Sequence, residues 1–137
     1  MTYEEALAYI HSPLRFGSKP GLSRIRALMG ACGDPQKAVR FVHVTGTNGK
    51  GSTTAMIANI LRDAGYRTGL FLSPYVDDFR ERIQVDGELI PPEALCEELE
   101  RLLPAIERIR EQGHTQPTEF ELLTALALNR FAHSGCD

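Results

Sequence analysis

The feature that most constrains the fold is the run Val44-Thr45-Gly46-Thr47-Asn48-Gly49-Lys50-Gly51-Ser52-Thr53, which joins a short apolar stretch to a helical one. Glycines at this density let the backbone turn tightly, so that successive N–H groups face one anion. The helix that follows adds the positive end of its dipole. Lys50 supplies an ammonium for β- and γ-phosphates, and a hydroxyl from Ser52 or Thr53 is placed for Mg²⁺ or a phosphate oxygen. Residues 41–72 are therefore expected to form a strand, a phosphate-cradling loop and a helix that bind a nucleoside triphosphate with magnesium. The usual P-loop pattern is matched in part: Val44 stands at its first glycine position, and Gly51 follows the lysine. The bland alternative is a Gly-rich strand-to-helix turn with a surface lysine.

The flanking pattern supports the first reading. Val39, Phe41, Val42 and Val44 read as a buried strand, with His43 in a structural place. Met56, Ile57, Ile60, Leu61 and Ala64 share one helical face, and Gly65 sits where the C-terminal cap belongs. Residues 68–72 form the next strand, so strand, helix and strand make a parallel unit with a right-handed crossover. Ile83 and Val85, then Asp86-Gly87, then Leu89 and Ile90 predict a hairpin. Upstream, Thr2 with Glu5 predicts a capped helix to about Ile10, residues 11–21 a loop, and Leu22, Ile25, Leu28 and Met29 a second helix. Downstream, Pro91 and Pro92 open a helix with the stripe Leu95, Leu99, Leu102, Ile106 and Ile109, which Pro104 is expected to kink or split. Its charges, including Glu97, Glu98, Glu100 and Arg101, read as a solvated face. Thr118 with Glu121 caps a last helix that is apolar on most sides, from Phe120 to Phe131.

Composition narrows the function. Fifteen Lys and Arg against 18 Asp and Glu leave a net charge of −3, a poor balance for general nucleic-acid binding. No run is long enough to cross a bilayer, and the first ten residues do not read as a signal peptide. The three cysteines, Cys32, Cys96 and Cys136, show no metal-type spacing and read as free thiols of a reducing cytoplasm. With 137 residues the chain suits one domain. Two parallel strands alone leave a sheet with bare edges, so the expectation is the front part of a longer α/β protein.

Three ordered motifs give the chain a family likeness. Gly46-Thr47-Asn48-Gly49-Lys50-Gly51-Ser52 resembles the ATP-binding loop of the Mur ligase family, in the version used by folylpolyglutamate synthase and bifunctional dihydrofolate synthase. Ser73-Pro74-Tyr75-Val76 with Phe79, Glu81-Arg82-Ile83 and Gly87 resembles its Ser-Pro segment and omega loop. Pro117-Thr118-Glu119-Phe120-Glu121 with Thr124-Ala125 resembles its folate-side helix start, and Leu22 with Arg24 after Lys19-Pro20-Gly21 fits its N-terminal region. One departure is Tyr75, where the family usually has histidine.

The resemblance implies a P-loop NTPase-like parallel sheet with flanking helices, truncated, of which residues 1–137 are the N-terminal portion of the ATP-binding domain. It implies an ATP-dependent acid–amino-acid ligase. ATP phosphorylates a carboxylate of folate or dihydropteroate, and the amine of L-glutamate attacks the acyl phosphate. Thr47, Asn48, Gly49, Lys50, Gly51 and Ser52 would hold the triphosphate, and Ser73 would ligate Mg²⁺. Thr118, Glu119, Phe120 and Glu121 would line the pterin side, and Arg82 would meet a substrate carboxylate or phosphate. The family's acidic and histidine magnesium ligands, its carboxylated lysine and its C-terminal domain lie beyond these motifs. A cytoplasmic, monomeric full-length enzyme with small-molecule partners is implied; the fragment alone is expected to be inactive. The bland readings stay open: a turn serine at Ser73, core packing for Phe120, a helix cap for Thr118 and Glu121, an exposed hairpin arginine at Arg82. So do two other functions, a cell-wall precursor ligase of the same family and a non-catalytic nucleotide-binding module.

Overall fold

The computed structural model describes residues 1–12, 20–75 and 77–137. The loop expected over residues 11–21 lies mostly outside them, as does Val76. Five helices are assigned among the described residues: α1 (Tyr3–His11), α2 (Ser23–Ala31), α3 (Lys50–Asp63), α4 (Pro92–Glu111) and α5 (Glu119–His133). Three short strands, β1 (Gly69–Phe71), β2 (Ile83–Val85) and β3 (Glu88–Leu89), form one antiparallel sheet in the order β1-β2-β3.

Local chemistry sets most of these elements. Thr2 and Glu5 form the expected capping box at the start of α1, with Thr2 Oγ1 accepting from the Glu5 N–H at 3.1 Å and Glu5 Oε2 from the Thr2 N–H at 2.7 Å. The β2–β3 turn rests on Asp86 and Gly87, both with positive φ (51° and 80°), the pair of conformations a two-residue hairpin turn demands. Helix α4 runs unbroken through Pro104 for 20 residues, where a kink or two abutting helices were expected. Its stripe is buried as predicted, with Leu95, Leu99, Leu102, Ile106 and Ile109 all at most 1 % exposed.

The core sits between α1, α2, α4 and α5, and Phe79, Ile83 and Ile90 extend it under the hairpin. Glu98 departs from the solvated face expected of α4. It is 2 % exposed, and both its carboxylate oxygens lie 2.9 Å from His133 Nδ1 on α5. A buried carboxylate persists where a partner is held this close.

Two expectations fail on the other side of β1. No strand is assigned over residues 39–44, and Phe41 and Val42 are 54 % and 62 % exposed. His43, read as structural, is exposed too. The parallel pair expected of this segment and residues 68–72 is not formed. Both failures have one cause: a strand is defined by a ladder, and among the described residues no neighbouring strand pairs with this segment. Helix α3 shows the same condition. None of its residues is buried, and Met56 and Ile60, predicted for its inner face, are 58 % and 67 % exposed.

Gly69 marks a close approach. A Cβ built there would lie 2.5 Å from Cδ1 of the Phe131 ring, which is itself buried on α5. Gly69→Ala is therefore expected to force the ring aside and to cost about 1–3 kcal/mol, measured by denaturant unfolding. An unchanged midpoint would mean that β1 does not pack this tightly on α5.

Candidate nucleotide loop and adjoining aromatic cluster

The loop over residues 44–49 enters α3 through Gly46 (φ 155°) and Gly49 (φ 74°). Gly49 is the N-cap in left-handed conformation, and no side chain caps the helix start. The first intrahelical bond runs from the Thr53 N–H to the Gly49 carbonyl at 3.0 Å. The N–H groups of Lys50, Gly51 and Ser52 thus have no intrahelical acceptor. No acidic residue stands in the first turn, and a Cβ at Gly46, Gly49 or Gly51 would meet no atom within 4 Å. Thr47, Asn48, Lys50 and Ser52 are all exposed. Free amides, a dipole end, a lysine and open space are what a polyphosphate needs. Thr54 turns its hydroxyl inward to the Lys50 carbonyl at 2.5 Å.

Ser73 follows the C-terminal end of β1 by two residues and is exposed. Arg82, at the end of the 3-10 turn Phe79–Arg82, donates from Nη1 to Ser73 Oγ at 3.2 Å. Its guanidinium carbon lies 5.0 Å from the Tyr75 ring centre and 5.6 Å from that of Phe79. Tyr75 is thus a cation–π platform for Arg82. The Arg82 Nε is buried with no hydrogen-bond partner among the described residues. Asp78 caps the same turn and pairs with Arg80 at 2.8 Å. The Arg80 guanidinium, helped by the Arg80 backbone N–H, holds the Asp78 carboxyl below the usual carboxylate range.

The start of α5 approaches this cluster through aromatic contacts. Phe79 meets His11 edge to face at 5.5 Å, and His11 Nδ1 lies 2.8 Å from Glu119 Oε1. Phe120 is 59 % exposed and stacks on Phe71 at 6.1 Å, so the core-packing reading of Phe120 fails. Thr118 and Glu121 form the capping box expected of them. Glu121 Oε1 accepts from the Thr118 N–H at 3.0 Å and lies 2.6 Å from Arg24 Nη2, which commits this carboxylate to the scaffold. Ser73, Arg82 and Glu119 are thus linked through Phe79 and His11, Phe120 stacks separately on Phe71, and no described hydrogen bond joins them to the loop over residues 47–52.

The residues present do not compose a magnesium site. Ser73 is a single neutral oxygen with a guanidinium already on it, and no group of three His, Cys, Asp or Glu side chains suited to a metal occurs among the described residues. Burial pushes the Cys32 and Cys136 thiols up, which suits inert thiols. Sequence reasoning missed two features: the Arg82–Tyr75 platform and the Arg24–Glu121 tie. No local signal announces either.

A Gly-rich loop opens an uncapped helix, and a Ser-Pro segment follows the end of β1, two features of a nucleotide-loop protein. No protein-family model matches the chain. Its sequence is 46 % identical over 130 residues to the dihydrofolate synthase/folylpolyglutamate synthase of Bacillus subtilis (strain 168), covering 95 % of this chain and 30 % of that protein. The folylpolyglutamate synthetase of Lactobacillus casei superposes with a TM-score of 0.92 at 43 % identity, over 100 % of this chain and 35 % of its own. A folylpolyglutamate synthase solved with AMPPCP and folate matches equally, at TM-score 0.92 and 43 % identity, over 34 % of its length. The chain belongs to the folylpolyglutamate synthase/dihydrofolate synthase family. It spans about a third of the length of these relatives.

Proposed function

We propose that this chain is the ATP-binding N-terminal portion of a ligase that adds L-glutamate to folate or dihydropteroate through an acyl phosphate. The observation that carries the reading is the uncapped start of α3 behind Gly46 and Gly49, in a fold shared with a relative solved with AMPPCP and folate. Backbone amides over residues 47–52 would hold the triphosphate, and Lys50 would offset its charge. Phosphoryl transfer depends mainly on such positioning and neutralisation. ATP brings the phosphoryl group that activates the carboxylate. Mg²⁺ belongs to the reaction class, and most of its ligands would come from outside these residues, with Ser73 contributing one hydroxyl. The exposed Phe120 ring would face the pterin, with Thr118 and Glu119 beside it and Glu121 fixing the helix start behind them. Arg82, whose guanidinium carbon lies 5.0 Å from the Tyr75 ring centre, would take a substrate carboxylate or phosphate.

No helix of the described residues is long and apolar enough to cross a membrane. A cytoplasmic, monomeric enzyme with small-molecule partners and no nucleic acid completes the proposal. For the 137 residues alone, the donor set favours a second reading, a nucleotide-binding module without catalysis, since no group of three His, Cys, Asp or Glu side chains suited to a metal occurs among the described residues. The test supplies the full-length protein with ATP, glutamate and either dihydropteroate or folate, and the isolated chain in parallel. ADP and a glutamyl amide are expected from the first and neither from the second. No ADP release with any pteridine acid counts against the proposal, and turnover of a nucleotide-linked peptide instead points to cell-wall precursors.

A further inference from the structure

A pocket of about 210 Å³ lies between the β2–β3 hairpin and α5. Arg67, Asp86, Glu88 and Arg130 all line it, but their charges are not in the same state. Arg67 and Asp86 are matched to each other. Arg67 Nη1 lies 3.4 Å from Asp86 Oδ2, and Asp86 Oδ1 accepts from the Thr68 N–H at 2.9 Å. The Arg130 guanidinium has no hydrogen bond or ion pair among the described residues, and its Nε is buried. The Glu88 carboxylate has no such partner among them either.

Strand register turns Glu88 toward this pocket. Val85 and Glu88 are direct partners in the β2–β3 ladder, and direct partners project to one face of a sheet. Ile83, two residues before Val85, shares that face and is 1 % exposed, so the face is the one that covers the core. A cation on α5 and a carboxylate on β3 therefore border one small space without pairing across it.

A lining that is neutral in sum, with its two free charges apart, suits a ligand that carries both signs. A simple anion would meet Glu88, and a simple cation would meet Arg130. Pockets for drug-sized molecules hold roughly 300–1,000 Å³, so this one admits something smaller. We propose that it binds a free α-amino acid with a short apolar side chain. The ligand's carboxylate lies on Arg130, whose planar fork matches it, and its ammonium lies on Glu88. Its side chain rests on Val85, Ile90 and Pro91, which complete the lining. A side-chain carboxylate, as in L-glutamate, would be left against those apolar groups without a partner. The site is therefore separate from the one that takes glutamate in the ligase reading.

The test is equilibrium dialysis of the full-length protein against labelled L-valine, with neither ATP nor folate present. Saturable one-to-one binding is expected. Arg130→Gln and Glu88→Gln should each weaken it about tenfold or more, with folding confirmed by circular dichroism. N-acetyl-L-valine lacks the ammonium and L-valinamide lacks the carboxylate, so each should compete about tenfold more weakly than L-valine itself. Acetate or inorganic phosphate competing as well as L-valine would reveal a plain anion site and overturn the proposal. So would absence of saturable binding, binding that both folded variants leave unchanged, or displacement by L-glutamate as effective as by L-valine. ADP release is not read, so the result stands apart from the success or failure of the ligase reading.

Discussion

Lys50→Ala is expected to remove nucleotide binding. The Lys50 ammonium stands at the first position of α3, exposed, beside three N–H groups without intrahelical acceptors. Against a triphosphate it would supply the one full positive charge in this turn. Losing a charge-assisted hydrogen bond of this kind costs about 3 kcal/mol, on the order of 100-fold in affinity. The backbone of the loop is untouched, so stability should hold, and calorimetric titration with ATP separates the two. Phe120→Ala is the matched control. Its ring is exposed on α5 and stacks on Phe71 rather than on the loop, so ATP affinity should stay within about twofold. Equal losses in both variants would contradict the separation of a nucleotide side from a pterin side.

The second large effect is structural. Arg24→Met should destabilise the chain by about 3 kcal/mol, roughly 10 °C in the melting midpoint. Arg24 and Glu121 have side chains only 8 % and 12 % exposed, with Nη2 and Oε1 2.6 Å apart. Arg24 Nη1 also donates to Thr115 Oγ1 at 2.9 Å. Removing the cation strands a carboxylate in a place water barely reaches. The same carboxylate closes the α5 capping box, so the start of the helix loosens with it. The double variant Arg24→Met, Glu121→Gln should recover much of the loss. Glutamine removes the stranded charge yet still offers an oxygen to the Thr118 N–H. Absence of recovery would show that the cost comes from lost packing rather than an unpaired charge.

What could be read from the sequence followed interaction range. The Thr2–Glu5 and Thr118–Glu121 boxes and the Asp86-Gly87 turn are settled within four residues, and each formed as expected. The stripe of α4 repeats one simple period, and it buried as expected. Arg24 and Glu121 are 97 positions apart, and nothing near either residue names the other. Glu98 looked like one more surface charge until α5 brought His133 against it. Residues 39–44 have strand chemistry, yet strand chemistry needs a neighbour, and the same holds for the face of α3 that carries Met56 and Ile60. Around the candidate site, the glycine turn at Gly46 and Gly49 and the helix that starts at Lys50 were legible. The platform that holds Arg82 on Tyr75 depends on how the Ser-Pro segment folds back over Phe79, and that is a tertiary matter.

The most direct measurement is an amide-resolved NMR titration of the chain with ATP. Shifts should concentrate on the N–H groups of residues 46–52 and decay along α3, and inorganic triphosphate should reproduce them without adenosine. Shifts that spare those amides, or that spread evenly over the surface, would contradict a loop that grips phosphate through its backbone.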